Sequence, residues 1–127
     1  MNRRELETYI AQTYSTDAEY PWAAHPGYAV FRHSGNRKWF AVTMDIPREK
    51  LGMQGDGMIA VLNVKCGPVL TGSLLTEAGF FPAYHMSKTN WVSIALDGTV
   101  AGEEIQWLLE VSYDLTAPRR KARKDTD

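Results

Sequence analysis

Tyr28-Ala-Val-Phe-Arg-His33, followed by Ser34-Gly-Asn-Arg37 and then Lys38-Trp-Phe-Ala-Val-Thr-Met-Asp-Ile46, is the stretch on which the fold turns. Its two flanks are rich in β-branched and aromatic residues, and Ser34-Gly35-Asn36 between them is a turn signal, so the stretch reads as a β-hairpin. In the second flank, strict alternation puts Lys38, Phe40, Val42 and Met44 on one face and Trp39, Ala41 and Thr43 on the other. Both faces are then largely apolar, as in a central strand covered on two sides.

Working outward, Asn2 and Glu5 have the spacing of a capping box, and Leu6, Tyr9, Ile10 and Tyr14 share one helical face, which predicts a first helix to about Thr13. Asp17, Pro21, Pro26 and Gly27 make Ser15 to Pro26 a loop that reaches across the body, with Tyr20 and Trp22 as anchors. Met58-Ile-Ala-Val-Leu-Asn-Val-Lys-Cys66 predicts a third strand after the glycine-rich connection from Pro47 to Gly57. Gly67-Pro68 opens a second helix with Val69, Leu70, Leu74 and Leu75 as its buried stripe, closing at Gly79.

Trp91-Val-Ser-Ile-Ala-Leu96 is a fourth strand, turned out by Asp97-Gly98. A last helix follows, with Glu103 and Glu104 in its first turn and Ile105, Leu108, Leu109 and Leu115 as its packing face. The order α-β-β-β-α-β-α groups strands and helices instead of alternating them. The expectation is therefore one α+β domain over residues 1–116, an antiparallel sheet of four to five strands with three flanking helices.

The composition narrows the function classes. The 127 residues suit one domain, and no apolar run approaches the roughly 20 residues that span a bilayer. With no apolar leader after Met1 and a single cysteine, Cys66, the chain is expected in a reducing cytoplasm, without membrane partners. The net charge of -1 hides an asymmetry: nine Lys/Arg against thirteen Asp/Glu up to Thr116, and five against two from Ala117 to Asp127. Residues 117–127 thus read as a flexible basic tail on an acidic body.

The densest chemistry lies in Pro82-Ala-Tyr-His-Met-Ser-Lys-Thr-Asn-Trp91, where a helix hands over to a strand. Three readings of the candidate residues stay open. Arg32, Arg37, Lys38, Lys65 and Lys88, with Trp39 as a stacking platform, have the cationic and aromatic interleaving of a nucleic-acid or anion-binding surface. Tyr84, His85, Asn90 and Trp91 could instead shape a pocket with Lys88 for a small anionic ligand or a protein partner. Cys66 could pair with His85 as nucleophile and base, or join His33 as a ligand set. No Cys-x-x-Cys or His-Glu-x-x-His spacing supports this, so no metal, cofactor or catalytic residue is expected.

Several segments together resemble the MmcQ/YjbR family: Tyr20-Pro-Trp22, Val30-Phe-Arg-His33, Asn36-Arg-Lys-Trp-Phe-Ala41, Leu62-Asn-Val-Lys-Cys66, Pro82-Ala-Tyr-His-Met86, Leu96-Asp-Gly98 and Ser112-Tyr-Asp-Leu115. Ser87 stands where the family has an amide, and Asn90 where it has a second histidine. The resemblance implies a double-wing, DNA-binding-like motif, and with it a non-enzymatic binding module for DNA or another nucleic acid.

Overall fold

The computed structural model describes residues 1–118. The basic run Arg119 to Lys124, and with it most of the expected flexible tail, lies outside the described residues. Asn2 caps helix α1 (Arg3–Tyr14) through the capping box that its spacing with Glu5 predicts. The chain then forms β1 (Ala29–Arg32), β2 (Trp39–Pro47), a 3-10 turn (Arg48–Leu51), β3 (Met58–Lys65), α2 (Pro68–Leu74), β4 (Phe80–Pro82), β5 (Trp91–Ala95) and α3 (Gly102–Thr116). The five strands make one sheet in the order β1-β2-β3-β5-β4, every neighbouring pair antiparallel. The α+β domain with three helices is as expected, and the fifth strand is the short edge piece β4.

The two sheet faces are covered differently, and this difference creates the site. On one face the three helices bury Leu6, Ile10, Leu74, Ile105, Leu108 and Leu109 against Phe31, Leu62, Val92 and Ile94. On the other face Val30, Val42, Met44, Ile46, Ile59 and Val61 are covered by loops, which contribute Trp22, Tyr28, Leu51, Met53 and Tyr84. A helix covers a sheet face in one continuous layer, whereas loop side chains cover it piecemeal and leave hollows between them.

The alternation predicted for β2 is wrong at its start. Phe31 pairs with Ala41 and Arg32 with Trp39, so Phe40 is the extra residue of a β-bulge. Phe40 therefore packs with Phe31 on the helical face, and Trp39 joins Val42 and Met44 on the loop-covered face. The bulge is pinned from α3: the buried Ser112 hydroxyl donates to the Phe40 carbonyl at 2.6 Å and accepts from the Lys65 amide at 2.9 Å.

Two helix readings also change. α2 ends at Leu74 and not at Gly79; Val69 is 87% exposed, and Thr71 and Leu74 are the buried residues. Gly79 instead shapes the turn into β4, at φ 91°. On α3, Leu115 lies half in solvent, so the packing face is Ile105, Leu108, Leu109 and Ser112.

Candidate functional site

The loop-covered face holds a cavity of about 350 Å³ lined by Trp22, His25, Tyr28, Trp39, Val42, Met44, His85 and Met86. Its floor is β2, through Val42 and Met44; its walls come from the segment before β1 and the segment before β5.

The first wall is built by a strap held along the edge of β1. Glu19 and Val30 exchange backbone hydrogen bonds of 2.9 and 2.8 Å, and the Thr16 hydroxyl donates to the Arg32 carbonyl. Two successive turns follow, in which the His25 amide donates to the Trp22 carbonyl and the Tyr28 amide to the His25 carbonyl. Turns of that kind bring residues three apart to the same side. Trp22, His25 and Tyr28 consequently face the sheet together, with His25 stacked on Tyr28 at 4.4 Å and Trp22 edge-on to Tyr28 at 6.1 Å and to Trp39 at 5.3 Å. Edge-to-face pairs add roughly 0.5–1.5 kcal/mol each beyond burial, so the wall is held by its own rings. Burial also holds the Tyr28 hydroxyl above its ordinary pKa of 10.0, with Tyr84 adding to the effect.

The second wall is the loop from Ala83 to Asn90. Its backbone is clamped at Tyr84, whose amide donates to Ser93 Oγ at 3.0 Å and whose carbonyl accepts from Asn63 Nδ2 at 2.9 Å. His85 follows in the left-handed region at φ 63°, a conformation that costs a non-glycine residue roughly 1–3 kcal/mol and needs such a clamp. The result aims its ring at the cavity, 3.9 Å from the Tyr84 ring and 6.3 Å from His25.

Beside the cavity lies a shallow depression lined by Arg37, Lys38, Trp39, Lys65, Trp91 and Thr116. Lys65 stands opposite Trp91 across β3 and β5, and Trp39 borders both hollows. The structure thus brings together Arg37, Lys38, Trp39 and Lys65, four of the six residues read from the sequence as a cationic and aromatic surface, with Trp91 of the pocket set beside them. Arg32 lies 5.6 Å over the Trp39 ring, but its guanidinium is bound to Glu19 at 3.1 Å, and Arg37 meets the same carboxylate at 2.9 Å. The hydrogen bond from Arg37, reinforced by Arg32, holds the Glu19 carboxyl below its usual pKa. Among the described residues, Lys38 and Lys65 make no salt bridge.

The remaining candidates are structural in their placement. Lys88 Nζ donates to the Ala83 carbonyl and ties its own loop. The Asn90 carbonyl accepts from the Cys66 and Gly67 amides, which occupies two of the donors that an anion at the start of α2 would need. Trp91 is buried beside Lys65, and Tyr84 packs against the loop-covered face.

Cys66, His33 and His85 are not brought together. Cys66 packs on the helical face, where burial pushes its thiol up to about 11. His33 Nε2 lies 2.9 Å from both the Tyr113 carbonyl and Thr116 Oγ1; because the carbonyl can only accept, Nε2 carries the proton. Among the described residues no three His, Cys, Asp or Glu side chains are grouped to hold a metal ion, and no helix is long and apolar enough to cross a membrane.

Of the cavity residues, the sequence-based candidates include Trp39 and His85; Val42 and Met44 figure there only as strand residues and Met86 only within the segment before β5. In the first wall, Trp22 figures only as a loop anchor, Tyr28 only as a strand residue and His25 not at all. Their signal is the three-residue spacing of Trp22, His25 and Tyr28 in a segment punctuated by Pro21, Pro26 and Gly27.

A family model described as YjbR matches residues 11–115, which span the strap, the whole sheet and nearly all of α3. The chain belongs to the YjbR family. YyaQ of Bacillus subtilis (strain 168), described as an uncharacterized protein, is 39% identical over 116 residues, covering 91% of this chain and 98% of that one. A crystal structure of a Pseudomonas syringae protein is 45% identical, covers 92% of this chain and 100% of its own, and superposes with a TM-score of 0.90. Deinococcus radiodurans DR2400, at 23% identity and a TM-score of 0.68, covering 98% of this chain and 80% of its own, shares the fold. Membership of the YjbR family fixes the architecture, while the chemistry of the site rests on the residues described above.

Proposed function

We propose that this YjbR-family chain is a non-enzymatic binding protein whose ligand, a small flat or apolar molecule, occupies the cavity between the strap and the loop before β5. The observation that carries this reading is the convergence of Trp22, His25, Tyr28, Trp39 and His85 from three separate segments on one hollow in the loop-covered sheet face. Its volume of about 350 Å³ falls in the range of roughly 300–1,000 Å³ found for small-molecule sites. The lining is apolar and aromatic, and its two imidazoles are the groups that would orient a polar substituent.

Binding of the uncharged fluorophore N-phenyl-1-naphthylamine tests the reading. Removing one aromatic wall in Trp22→Ala is expected to weaken it about 3- to 10-fold. Trp107→Ala, which alters a 51% exposed ring on α3, serves as the control and is expected to have no effect. Equal binding by wild type and Trp22→Ala would end the proposal.

A second reading, a nucleic-acid surface, is favoured by one observation: Lys38 and Lys65 flank Trp39 in a single open depression. Against it stand the acidic balance of residues 1–116 and the pairing of Arg32 and Arg37 with Glu19, which removes two of the cations that phosphates would meet. A salt-dependent mobility shift of DNA that disappears in Lys38→Glu with Lys65→Glu would support this second reading. No shift by the wild-type protein at low salt would eliminate it.

A further inference from the structure

We infer that the ligand is an amphipathic anion, with its aromatic or apolar body in the cavity and a carboxylate, sulfonate or phosphate reaching over Trp39 to Lys38 and Lys65. The inference rests on the proposed cavity reading and extends it to ligand class. Trp39 is the shared element, since it borders the apolar cavity with Trp22 and the cationic depression with Lys65. The β-bulge at Phe40 is what turns the indole to this face, next to Val42 and Met44, so the wall between the two hollows is fixed by the fold.

The charges on the two sides of that wall are matched to such a ligand. Among the described residues, no Asp or Glu lines either hollow. The nearby carboxylate, Glu19, is engaged by Arg32 and Arg37, which leaves Lys38 and Lys65 as the depression's cations without a salt bridge among the described residues. A carboxylate on the ligand would therefore meet two ammonium groups in the depression and, among the described residues lining it, no opposing charge. Trp91, buried opposite Lys65, adds an aromatic surface to the lining of the depression beside that lysine.

The test uses the full chain and a matched pair of probes: 1-anilinonaphthalene-8-sulfonate and N-phenyl-1-naphthylamine, which share an aromatic body and differ in the sulfonate. The inference predicts that the sulfonate binds about 5- to 10-fold tighter, as two partly exposed charge contacts allow. The preference should vanish in Lys38→Ala with Lys65→Ala while the thermal midpoint stays that of the wild type. Equal affinity for the two probes in the wild type, or a preference that survives the double variant, would overturn the inference and leave the cavity reading intact. Failure of both probes to bind would overturn the cavity reading, and the inference with it. Displacement of the sulfonate probe by a short single-stranded oligonucleotide, with the same lysine dependence, would reassign the site to a nucleic-acid strand and overturn the small-molecule class.

Discussion

Asn63 and Ser93 stand directly opposite each other on β3 and β5, both fully buried, with the Ser93 hydroxyl donating to Asn63 Oδ1 at 2.6 Å. Their remaining hydrogen-bonding groups hold both the amide and the carbonyl of Tyr84. A buried amide and hydroxyl are costly unless every group has a partner, and here the partner is the backbone of the loop that presents His85. The pair thus converts sheet pairing into the position of a cavity wall.

Ser93→Ala should leave Asn63 Oδ1 and the Tyr84 amide without partners, at a cost of about 1–3 kcal/mol. Urea denaturation measures that loss. Hydrogen exchange at the Tyr84 amide should quicken, and affinity for N-phenyl-1-naphthylamine should fall as His85 loses its fixed position. Unchanged exchange at Tyr84 would show that the loop is held by other contacts.

His33 gives the fold a pH dependence. Burial outweighs its hydrogen bond to the Tyr113 carbonyl and holds its pKa below the ordinary 6.5. Below that ordinary value the unfolded chain takes up a proton that the folded chain does not, so the contribution is complete above it and declines as the pH falls. The urea midpoint should decrease from about pH 7.5 to about pH 5.5, and His33→Gln should flatten that part of the curve. A midpoint that rises on acidification would contradict the sign.

Gly79 and Gly72 form an internally controlled pair. A Cβ at Gly79 would lie 2.6 Å from Val100 Cγ2, on a backbone at φ 91°, so Gly79→Ala should destabilise by roughly 1–3 kcal/mol. Gly72, inside α2, has nothing among the described residues within 4 Å of such a carbon, and Gly72→Ala should stabilise by about 0.5–1 kcal/mol. Thermal melts of the two variants should therefore shift in opposite directions.

Cys66 should behave as a core residue. With burial holding its thiol at about 11, reaction with an aromatic disulfide reagent near neutral pH should be slow in the folded protein and rapid in urea. Fast labelling of the folded chain would place the thiol at the surface.

What the sequence made legible depended on how local each signal was. The capping box of Asn2 and Glu5 spans three residues, and the hairpin is marked by Ser34-Gly35-Asn36, so both could be read directly. The bulge at Phe40 could not: Trp39, Phe40 and Ala41 are all apolar, so the pattern does not choose a face, and the choice is made by Ser112, 72 residues away. β4 is three residues ending in Pro82, too short for alternation to show. Of the candidate cations, Lys38 and Lys65 share a depression, whereas the pairing of Arg32 with Glu19 joins β1 to the strap across 13 residues and has no local signature. The place of His25 in the cavity wall has no signal in hydrophobic alternation, because a loop residue's target face is decided by the turns on either side of it.

The central claim, that the aromatic cavity holds the ligand, is tested most directly by following the indole N–H resonances of the four tryptophans during titration with naphthalene-1-sulfonate. Trp22 and Trp39 should shift together and saturate, with Trp107 unmoved. Saturable shifts at Trp107 with Trp22 and Trp39 still, or no shift at any of the four, would contradict the account.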